Sequence, residues 1–160
     1  MTRPGFAVFD IDGVLADVGH RLSHLRRGRK NWDAFFAEAA ADPVLEPGRR
    51  RVQAAAGQHA LVYVSGRPER LRELTQRWLD DNGFPAGALL LRRDRDRRPA
   101  RVLKPELVRR VSRSGPVVLV VDDDVAVCAA LRAAGFPVEL ADWAPPPPEL
   151  AAAQEENGRT

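Results

Sequence analysis

The sequence has little of what would place it in several large classes of protein. One cysteine among 160 residues excludes a disulfide within the chain. No apolar run approaches the ~20 residues that a membrane-spanning helix requires. The first residues lead directly into a short apolar run, without the pattern of a secretory signal peptide. These absences predict a soluble, cytoplasmic protein without a membrane partner.

The charge of the chain is nearly balanced. There are 25 Lys and Arg residues against 22 Asp and Glu residues, which gives a formal net charge of +3. This mild excess permits an anionic or nucleic-acid partner but does not require one. With 44% hydrophobic residues the chain can bury a sizeable core, and its length favours one domain. Composition does not indicate an oligomeric state.

Apolar runs alternate with helical patterns over most of the chain. The runs start at Phe6, Leu61, Ala88, Val117 and Val138, and helical patterns lie between them. This alternation predicts an α/β fold with a doubly wound, mostly parallel sheet of about five strands. The predicted helices include one from Trp32 capped by Asn31, and others over about 49–56, 68–82, 104–112 and 125–134.

Two carboxylates follow the first predicted strand. Asp10 ends the apolar run, and Asp12 comes two residues later, before Gly13. The sequence is compatible with a simple Asp-Gly turn. It is also compatible with chemistry, because carboxylates at the end of a buried strand are costly unless they are used or paired. They could bind Mg²⁺, and an Asp can be a nucleophile.

Other polar groups follow the later strands. Ser65 follows the second strand, and Asp122 and Asp123 follow the fourth. In a parallel sheet these strand ends form one edge, where sites of such folds lie. Lys104 is predicted to join them from a helix start fixed by Pro105. Together the groups offer what phosphoryl transfer requires: a nucleophile, metal ligands, and donors for phosphoryl oxygens.

These motifs resemble those of the haloacid dehalogenase-like phosphohydrolases. The resemblance implies a Rossmann-like core, Mg²⁺ as cofactor, and an aspartyl-phosphate intermediate. It implies that Asp10 is the nucleophile and a metal ligand, and that Asp12 is the general acid/base, with its backbone carbonyl on the metal. Ser65 and Lys104 would hold the phosphoryl group. Asp123 would bind the metal, with Asp122 as a further or alternative ligand.

A narrower resemblance concerns the phosphatase domain of phage-type polynucleotide kinase/phosphatase. Val64-Ser65-Gly66-Arg67 is similar to that branch, as is Arg21, eleven positions after Asp10. It implies that Arg21, Gly66 and Arg67 contact the substrate, which would be a 3′-phosphate of a nucleic-acid end or nucleotide. For the arginines the alternative is a salt bridge to a nearby acid. The sequence lacks a Gly-x-x-x-x-Gly-Lys-Ser/Thr loop, so we expect no 5′-kinase activity.

The resemblance also suggests how the chain is divided. Residues 1–143 would form the phosphatase domain, and residues 16–60 would be a minimal helical cap or insertion. A small or absent cap leaves a site open and favours a bulky or polymeric substrate. Residues 144–160 are rich in Pro, Ala, Glu and Gln and are predicted to be a flexible tail.

Three other functions are compatible with the sequence. The first is a phosphatase of a small metabolite or nucleoside monophosphate. The second is a phosphorylation-switched signalling domain, because Val117–Asp124 looks like the first strand of a response-regulator receiver. The third is nucleic-acid binding without catalysis through residues 92–101, which include six arginines. That arginine-rich run is otherwise predicted to be a solvated loop.

Overall fold

The computed structural model describes residues 5–26, 28–144 and 146–160, and its central element is a five-stranded parallel sheet. The strand order is β3-β2-β1-β4-β5, so the first strand lies in the middle. The predicted α/β fold is therefore confirmed. The strands are β1 (Phe6–Phe9), β2 (Ala60–Pro68), β3 (Ala88–Arg92), β4 (Val117–Asp122) and β5 (Val138–Leu140).

Helices cover both faces of the sheet, in three layers. The helices are α1 (Ser23–Arg26), α2 (Trp32–Ala37), α3 (Glu46–Ala56), α4 (Arg72–Asp81), α5 (Ala100–Ser112), α6 (Val125–Ala133) and α7 (Pro148–Glu155). Val52 of α3 and Trp78 of α4 pack with Phe9 on one face. Leu107 of α5 and Leu131 of α6 pack with Val8 on the other. Successive residues of β1 thus enter opposite cores, as expected for a strand covered on both faces.

Residues 11–45 connect β1 to α3 on one side of the carboxyl edge of the sheet. They contain the two short helices α1 and α2, and Asn31 caps α2 by accepting a hydrogen bond from the Ala34 amide at 3.0 Å. Apolar residues of 18–36, including Leu22 and Phe35, form a third cluster, whereas Ile11 and Leu15 belong to one of the two cores against the sheet.

Helix α5 differs from the prediction that Lys104 and Pro105 start it. The helix begins at Ala100, after Pro99, and Pro105 lies inside it. An internal proline removes one backbone hydrogen bond. Leu103 and Leu107, on either side of Pro105, are buried against the sheet, and we attribute the tolerance of the proline to this burial.

Residues 146–160 differ from the predicted flexible tail. Helix α7 spans Pro148–Glu155, and Leu150 and Ala153 are fully buried in the cluster formed by residues 18–36. The composition suggested disorder, but burial of these two side chains offsets the entropy of ordering the segment. Pro145, the first proline of the run, lies outside the described residues, as do residues 1–4 and 27. Among the residues described, no helix combines the length and apolar character needed to cross a membrane.

Candidate active site

Three buried aspartates meet at the carboxyl edge of the sheet. Asp10 follows β1, and Asp122 and Asp123 lie at the end of the neighbouring strand β4. One carboxylate oxygen from each lies within 4.8 Å of the others. Lys104 contacts two of them, with Nζ 3.1 Å from Asp10 Oδ1 and 2.6 Å from Asp122 Oδ2. The sheet order thus brings together the residues predicted from separate motifs.

The charges of this cluster do not balance. Three carboxylates face one ammonium group, and each of the four side chains is at most 3% exposed. Burial, together with the neighbouring acids, raises the pKa of Asp10 to about 7 and that of Asp123 well above its usual range. Burial alone would lower the pKa of Lys104, but the carboxylates raise it, so the lysine stays charged.

Three oxygens of the cluster lack a hydrogen-bond partner in the described structure. They are Asp10 Oδ2 and both carboxylate oxygens of Asp123. Buried acceptors without partners are costly. Hard divalent cations take carboxylate oxygens as ligands, and a cation would remove both the orphaned acceptors and the excess negative charge. The residues present therefore fit a metal ion.

Gly13 allows the loop after β1 to pass close to Asp123. Its φ is +82°, and a Cβ atom there would lie 2.1 Å from Asp123 Oδ2. A larger residue would therefore be strained and would displace the carboxylate. The Asp-Gly turn, which in the sequence was the alternative to a catalytic role, is therefore present. It brings the loop after β1 close to the acidic cluster.

The Ser65-Gly66-Arg67 segment lies at the end of β2, beside Asp10. The Ser65 hydroxyl accepts a hydrogen bond from the Arg67 amide at 3.1 Å, which leaves its own proton free to be donated. The Gly66 carbonyl accepts a bond of 2.8 Å from Arg92 Nε. The pairing of β2 with β3 is irregular between Val64 and Pro68, so this segment departs from a regular strand.

Arg21 and Arg67 form a second buried cluster with two acids. Arg67 Nη2 lies 2.6 Å from Asp12 Oδ1 and 3.2 Å from Asp42 Oδ2. Arg21 Nη2 contacts the same two acids, at 3.0 and 2.8 Å. Both arginines are 0% exposed. The structure thus shows the salt-bridge alternative considered for these residues, and their contact with a substrate stays a prediction.

Asp12 is held in its ionised form. Burial would raise its pKa, but the guanidinium groups of Arg67 and Arg21 hold it well below the usual range. Asp12 Oδ2 also accepts a hydrogen bond of 2.7 Å from the Thr160 hydroxyl. Every hydrogen-bonding interaction of this carboxylate therefore favours the charged form.

Three residues at the site were not identified from the sequence. Asp42 has no recognisable motif around it and is important only because the fold places it between the two arginines. Arg92 is the first residue of the arginine-rich run, and it is fully buried against the Gly66 carbonyl rather than solvated. Thr160 lies in the predicted tail. None of them carries a local sequence signal.

The rest of the arginine-rich run has mixed surroundings. Arg98 is half-exposed and pairs with Asp96 and Glu106, each at 2.7 Å. Arg101 pairs with Glu155 at 2.7 Å. These ion pairs neutralise part of the positive charge that the sequence suggested for nucleic-acid binding.

The sequence matches the polynucleotide kinase PNKP phosphatase domain family over residues 4–141. No curated protein matches the chain significantly. Two structures of the Pnkp1/Rnl/Hen1 complex, one described as an RNA repair complex, are similar at TM-scores of 0.72 and 0.70, with 25% identity in both. They match 88% and 86% of this chain, which spans 47% and 42% of theirs, less than half of those proteins.

More distant structures share the fold. A haloacid dehalogenase-like hydrolase from Streptococcus pneumoniae has a TM-score of 0.62 and 10% identity, with 96% of this chain and 92% of that one matched. A HAD (haloacid dehalogenase) family enzyme from Bacteroides thetaiotaomicron, in complex with magnesium and inorganic phosphate, has a TM-score of 0.51 and 9% identity. That match covers 86% and 94% of the two chains.

Proposed function

Because this chain belongs to the polynucleotide kinase PNKP phosphatase domain family, we propose that it is a Mg²⁺-dependent phosphomonoesterase that removes 3′-phosphates from nucleic-acid ends. The observation that carries the proposal is the buried acidic cluster with its lysine, placed beside a serine at one edge of the sheet. We propose residues 1–143 as the catalytic domain, with residues 16–60 as its minimal cap.

The metal ion would be held by Asp10 and Asp123, with Asp122 and the Asp12 backbone carbonyl as further ligands. When bound, it would neutralise charge on the phosphoryl oxygens and on the acidic cluster. Asp122 already accepts a hydrogen bond from Lys104 at 2.6 Å and one from the Asp124 amide at 2.9 Å. Asp123 accepts no hydrogen bond from the residues that the structure describes, so it is the stronger candidate for a direct ligand.

The protein groups around the cluster suit phosphoryl transfer through Asp10. One carboxylate oxygen of Asp10, whose Oδ1 lies 3.1 Å from Lys104 Nζ, would attack phosphorus and form the aspartyl-phosphate as the bond from phosphorus to the ester oxygen breaks. The other oxygen would bind the metal. The Ser65 hydroxyl can donate to a phosphoryl oxygen, and Lys104 can neutralise the charge. Ionised Asp12 can accept the proton of the water that hydrolyses the intermediate. To donate a proton to the leaving oxygen in the first step, Asp12 must itself be protonated, and this requires weaker contacts with Arg21 and Arg67.

A basic groove beside the site supports a polymeric substrate. It encloses about 870 Å³ and is lined by residues 28–33, Asn157 and Arg159. Lys30 and Arg159 lie at the Trp32 ring, with Nζ at 5.9 Å and Cζ at 5.1 Å from its centroid. Positive side chains beside an aromatic ring, here a partly buried one, are the usual means of holding single-stranded nucleic acid. The RNA repair complex of the similar Pnkp1 makes RNA 3′ ends the first substrates to test.

The test is phosphate release in Mg²⁺ from five substrates. They are 3′- and 5′-phosphorylated oligonucleotides, nucleoside 3′- and 5′-monophosphates, and a sugar phosphate. We expect selective release from the 3′-phosphorylated oligonucleotide, and a loss of turnover on the order of 10⁴-fold or more in Asp10→Asn. The matched control is Asp81→Asn, on an exposed carboxylate of α4, which should retain full activity.

Two results would contradict this proposal. Substantial activity in Asp10→Asn would exclude Asp10 as the nucleophile. Efficient cleavage of the sugar phosphate, with none of the 3′-phosphorylated oligonucleotide, would assign the enzyme to small metabolites instead. Stable phosphorylation without turnover would support a signalling domain, and salt-dependent nucleic-acid binding without any phosphatase activity would support a binding protein.

A further inference from the structure

The proposed catalytic groups are closed off from solvent in this structure. Asp10 is 3% exposed, Ser65 is 0% exposed, and Asp123 is 1% exposed. A phosphate ester must bring its phosphorus to within about 3.5 Å of the nucleophile before it can react. Some part of the molecule must therefore move before a substrate can bind, and the residues that cover the site identify that part.

The covering element is residues 148–160, which we call the strap. Its last residue, Thr160, lies between the loop after β1 and the Ser65-Gly66-Arg67 segment. The Thr160 hydroxyl donates to Asp12 Oδ2 at 2.7 Å, and a Cβ on Gly66 would lie 2.1 Å from the Thr160 carbonyl carbon. Thr160 is 3% exposed. It therefore occupies space between the proposed acid/base and the segment that would hold the phosphoryl group.

The strap is attached by side chains on both sides of the site. Leu150 and Ala153 of α7 pack with the apolar residues of 18–36. Glu149 pairs with Arg26 at 2.9 Å, and Glu155 pairs with Arg101 at 2.7 Å. These ion pairs are partly exposed, and such pairs contribute about 0–1 kcal/mol each. The strap adds no strand to the sheet, so it can detach without breaking the hydrogen bonds of the sheet or the two cores packed against it.

The strap also covers the path proposed for the nucleic acid. Arg159 lies over Trp32, and Asn157 Oδ1 accepts a hydrogen bond from Lys30 at 2.8 Å. The Trp32 ring and the Lys30 ammonium, which these strap residues contact, are the groups of the basic groove that a base and a phosphate would contact. A bound strand and the docked strap would therefore use the same surface, and each would exclude the other.

We propose that the strap is an autoinhibitory lid, which holds the active site closed until substrate displaces it. This inference rests on the proposed function for the identity of the displacing ligand. The closed state lowers the apparent affinity for any ligand of the site by the fraction of molecules that are open. A change that weakens docking should then increase affinity and activity together.

Gly158 offers a way to open the strap without removing it. Its φ is +57°, and a Cβ there would lie 2.0 Å from the Arg97 carbonyl oxygen. Gly158→Val is therefore incompatible with the docked conformation. Gly135→Val is the matched control, because Gly135 also has a positive φ, of +90°, but apart from its chain neighbours no described residue has an atom within 4 Å of its Cβ position. A second variant, a chain that stops after Ala144, removes the strap entirely.

The experiment measures two quantities for each variant. One is the Kd of inorganic phosphate in Mg²⁺ by calorimetry, and the other is kcat/KM for phenyl phosphate. For Gly158→Val we expect roughly tenfold tighter phosphate binding and a similar gain in kcat/KM. Faster amide exchange over 148–160 should accompany this gain. Gly135→Val should leave both quantities as in the unmodified protein.

The outcomes separate the lid from the proposed function. Unchanged or weaker phosphate binding in both Gly158→Val and the truncated chain, with the fold retained, would show that the strap is a fixed wall and would overturn the inference. Tighter phosphate binding without turnover of any ester would support the lid and refute the proposed phosphatase activity.

Discussion

The active site has two buried halves that differ in how their charges are balanced. The acidic half consists of Asp10, Lys104, Asp122 and Asp123, and it carries three acids against one base. The arginine half consists of Asp12, Arg21, Asp42 and Arg67, and its two acids face two bases. Both halves are almost entirely buried.

The difference shows what each half requires from outside the chain. In the acidic half three carboxylate oxygens have no partner in the described structure. In the arginine half both oxygens of Asp12 and both oxygens of Asp42 accept hydrogen bonds from side chains. A buried cluster that is neutral and fully bonded can be stable by itself, whereas an unbalanced one is stabilised by binding a proton or a cation. We infer that the arginine half is balanced by its own side chains, which hold ionised Asp12 in place, and that the acidic half is completed by metal.

The largest effect that would test this contrast is the loss of charge in the arginine half. Asp42→Asn removes the carboxylate that accepts bonds from Arg21 Nε at 2.8 Å and from Arg67 Nη2 at 3.2 Å. One charged partner of two buried guanidinium groups is then lost, so we expect the free energy of unfolding to fall by about 3 kcal/mol. Chemical denaturation in urea measures this change.

Asp17→Asn is the matched control for Asp42→Asn. Asp17 belongs to the same segment after β1 but is exposed. It accepts a hydrogen bond of 2.9 Å from the Gly19 amide, and an Asn can keep that bond. We expect a change below about 0.5 kcal/mol. If Asp42→Asn were equally mild, the contacts of Asp42 with Arg21 and Arg67 would not be what stabilises the arginine half.

The sequence predicts some residues of each half, and the residues that it misses share one reason. Asp10, Ser65 and Asp122 were found because each follows an apolar strand, and parallel strands share a carboxyl edge. Asp42 follows no strand and has no motif. It reaches Arg21 and Arg67 only through the packing of residues 11–45, which tertiary structure alone determines.

The predictions for Lys104 and for the tail illustrate the same limit. Lys104 was expected at a helix start because of Pro105, yet it reaches Asp10 from inside α5. Local proline rules were outweighed by burial of the helix against the sheet. Composition predicted a loosely held tail over 144–160, but Leu150 and Ala153 provide enough apolar contact to dock α7. Which surface a short helix contacts cannot be read from its own residues.

An intermediate effect concerns pH and metal in the acidic half. Folded Asp10, with a pKa of about 7, keeps a proton that the unfolded chain loses near pH 4. The free energy of unfolding of the metal-free protein should therefore fall as pH rises from about 4 to 7. Mg²⁺ binds the ionised carboxylates, so it should raise Tm more at pH 7.5 than at pH 5.5, by about 5 °C.

Asp123→Asn sharpens the test of the acidic half. Removing this carboxylate relieves repulsion, so we expect a higher Tm without metal at pH 7.5 and no further increase with Mg²⁺. Asp81→Asn, on the surface of α4, should behave as the unmodified protein at both pH values. Equal stabilisation of Asp123→Asn and the unmodified protein by Mg²⁺ would place the metal elsewhere.

The smallest expected effect tests whether a hydrogen bond to Arg67 stabilises the arginine half without changing the metal site. Arg67 Nη1 donates a hydrogen bond of 3.2 Å to the Thr75 hydroxyl, and both side chains are buried. Thr75→Val replaces that acceptor with a methyl group of similar size, so we expect the free energy of unfolding to fall by about 1.5 kcal/mol. Thr75→Ser keeps the hydroxyl and should restore most of that loss if it acts through the bond to Arg67. Because the acidic half is untouched, the Mg²⁺-dependent rise in Tm should be the same in all three proteins. A weaker response to Mg²⁺ in Thr75→Val alone would show that the two halves are coupled through Asp12, rather than stabilised independently.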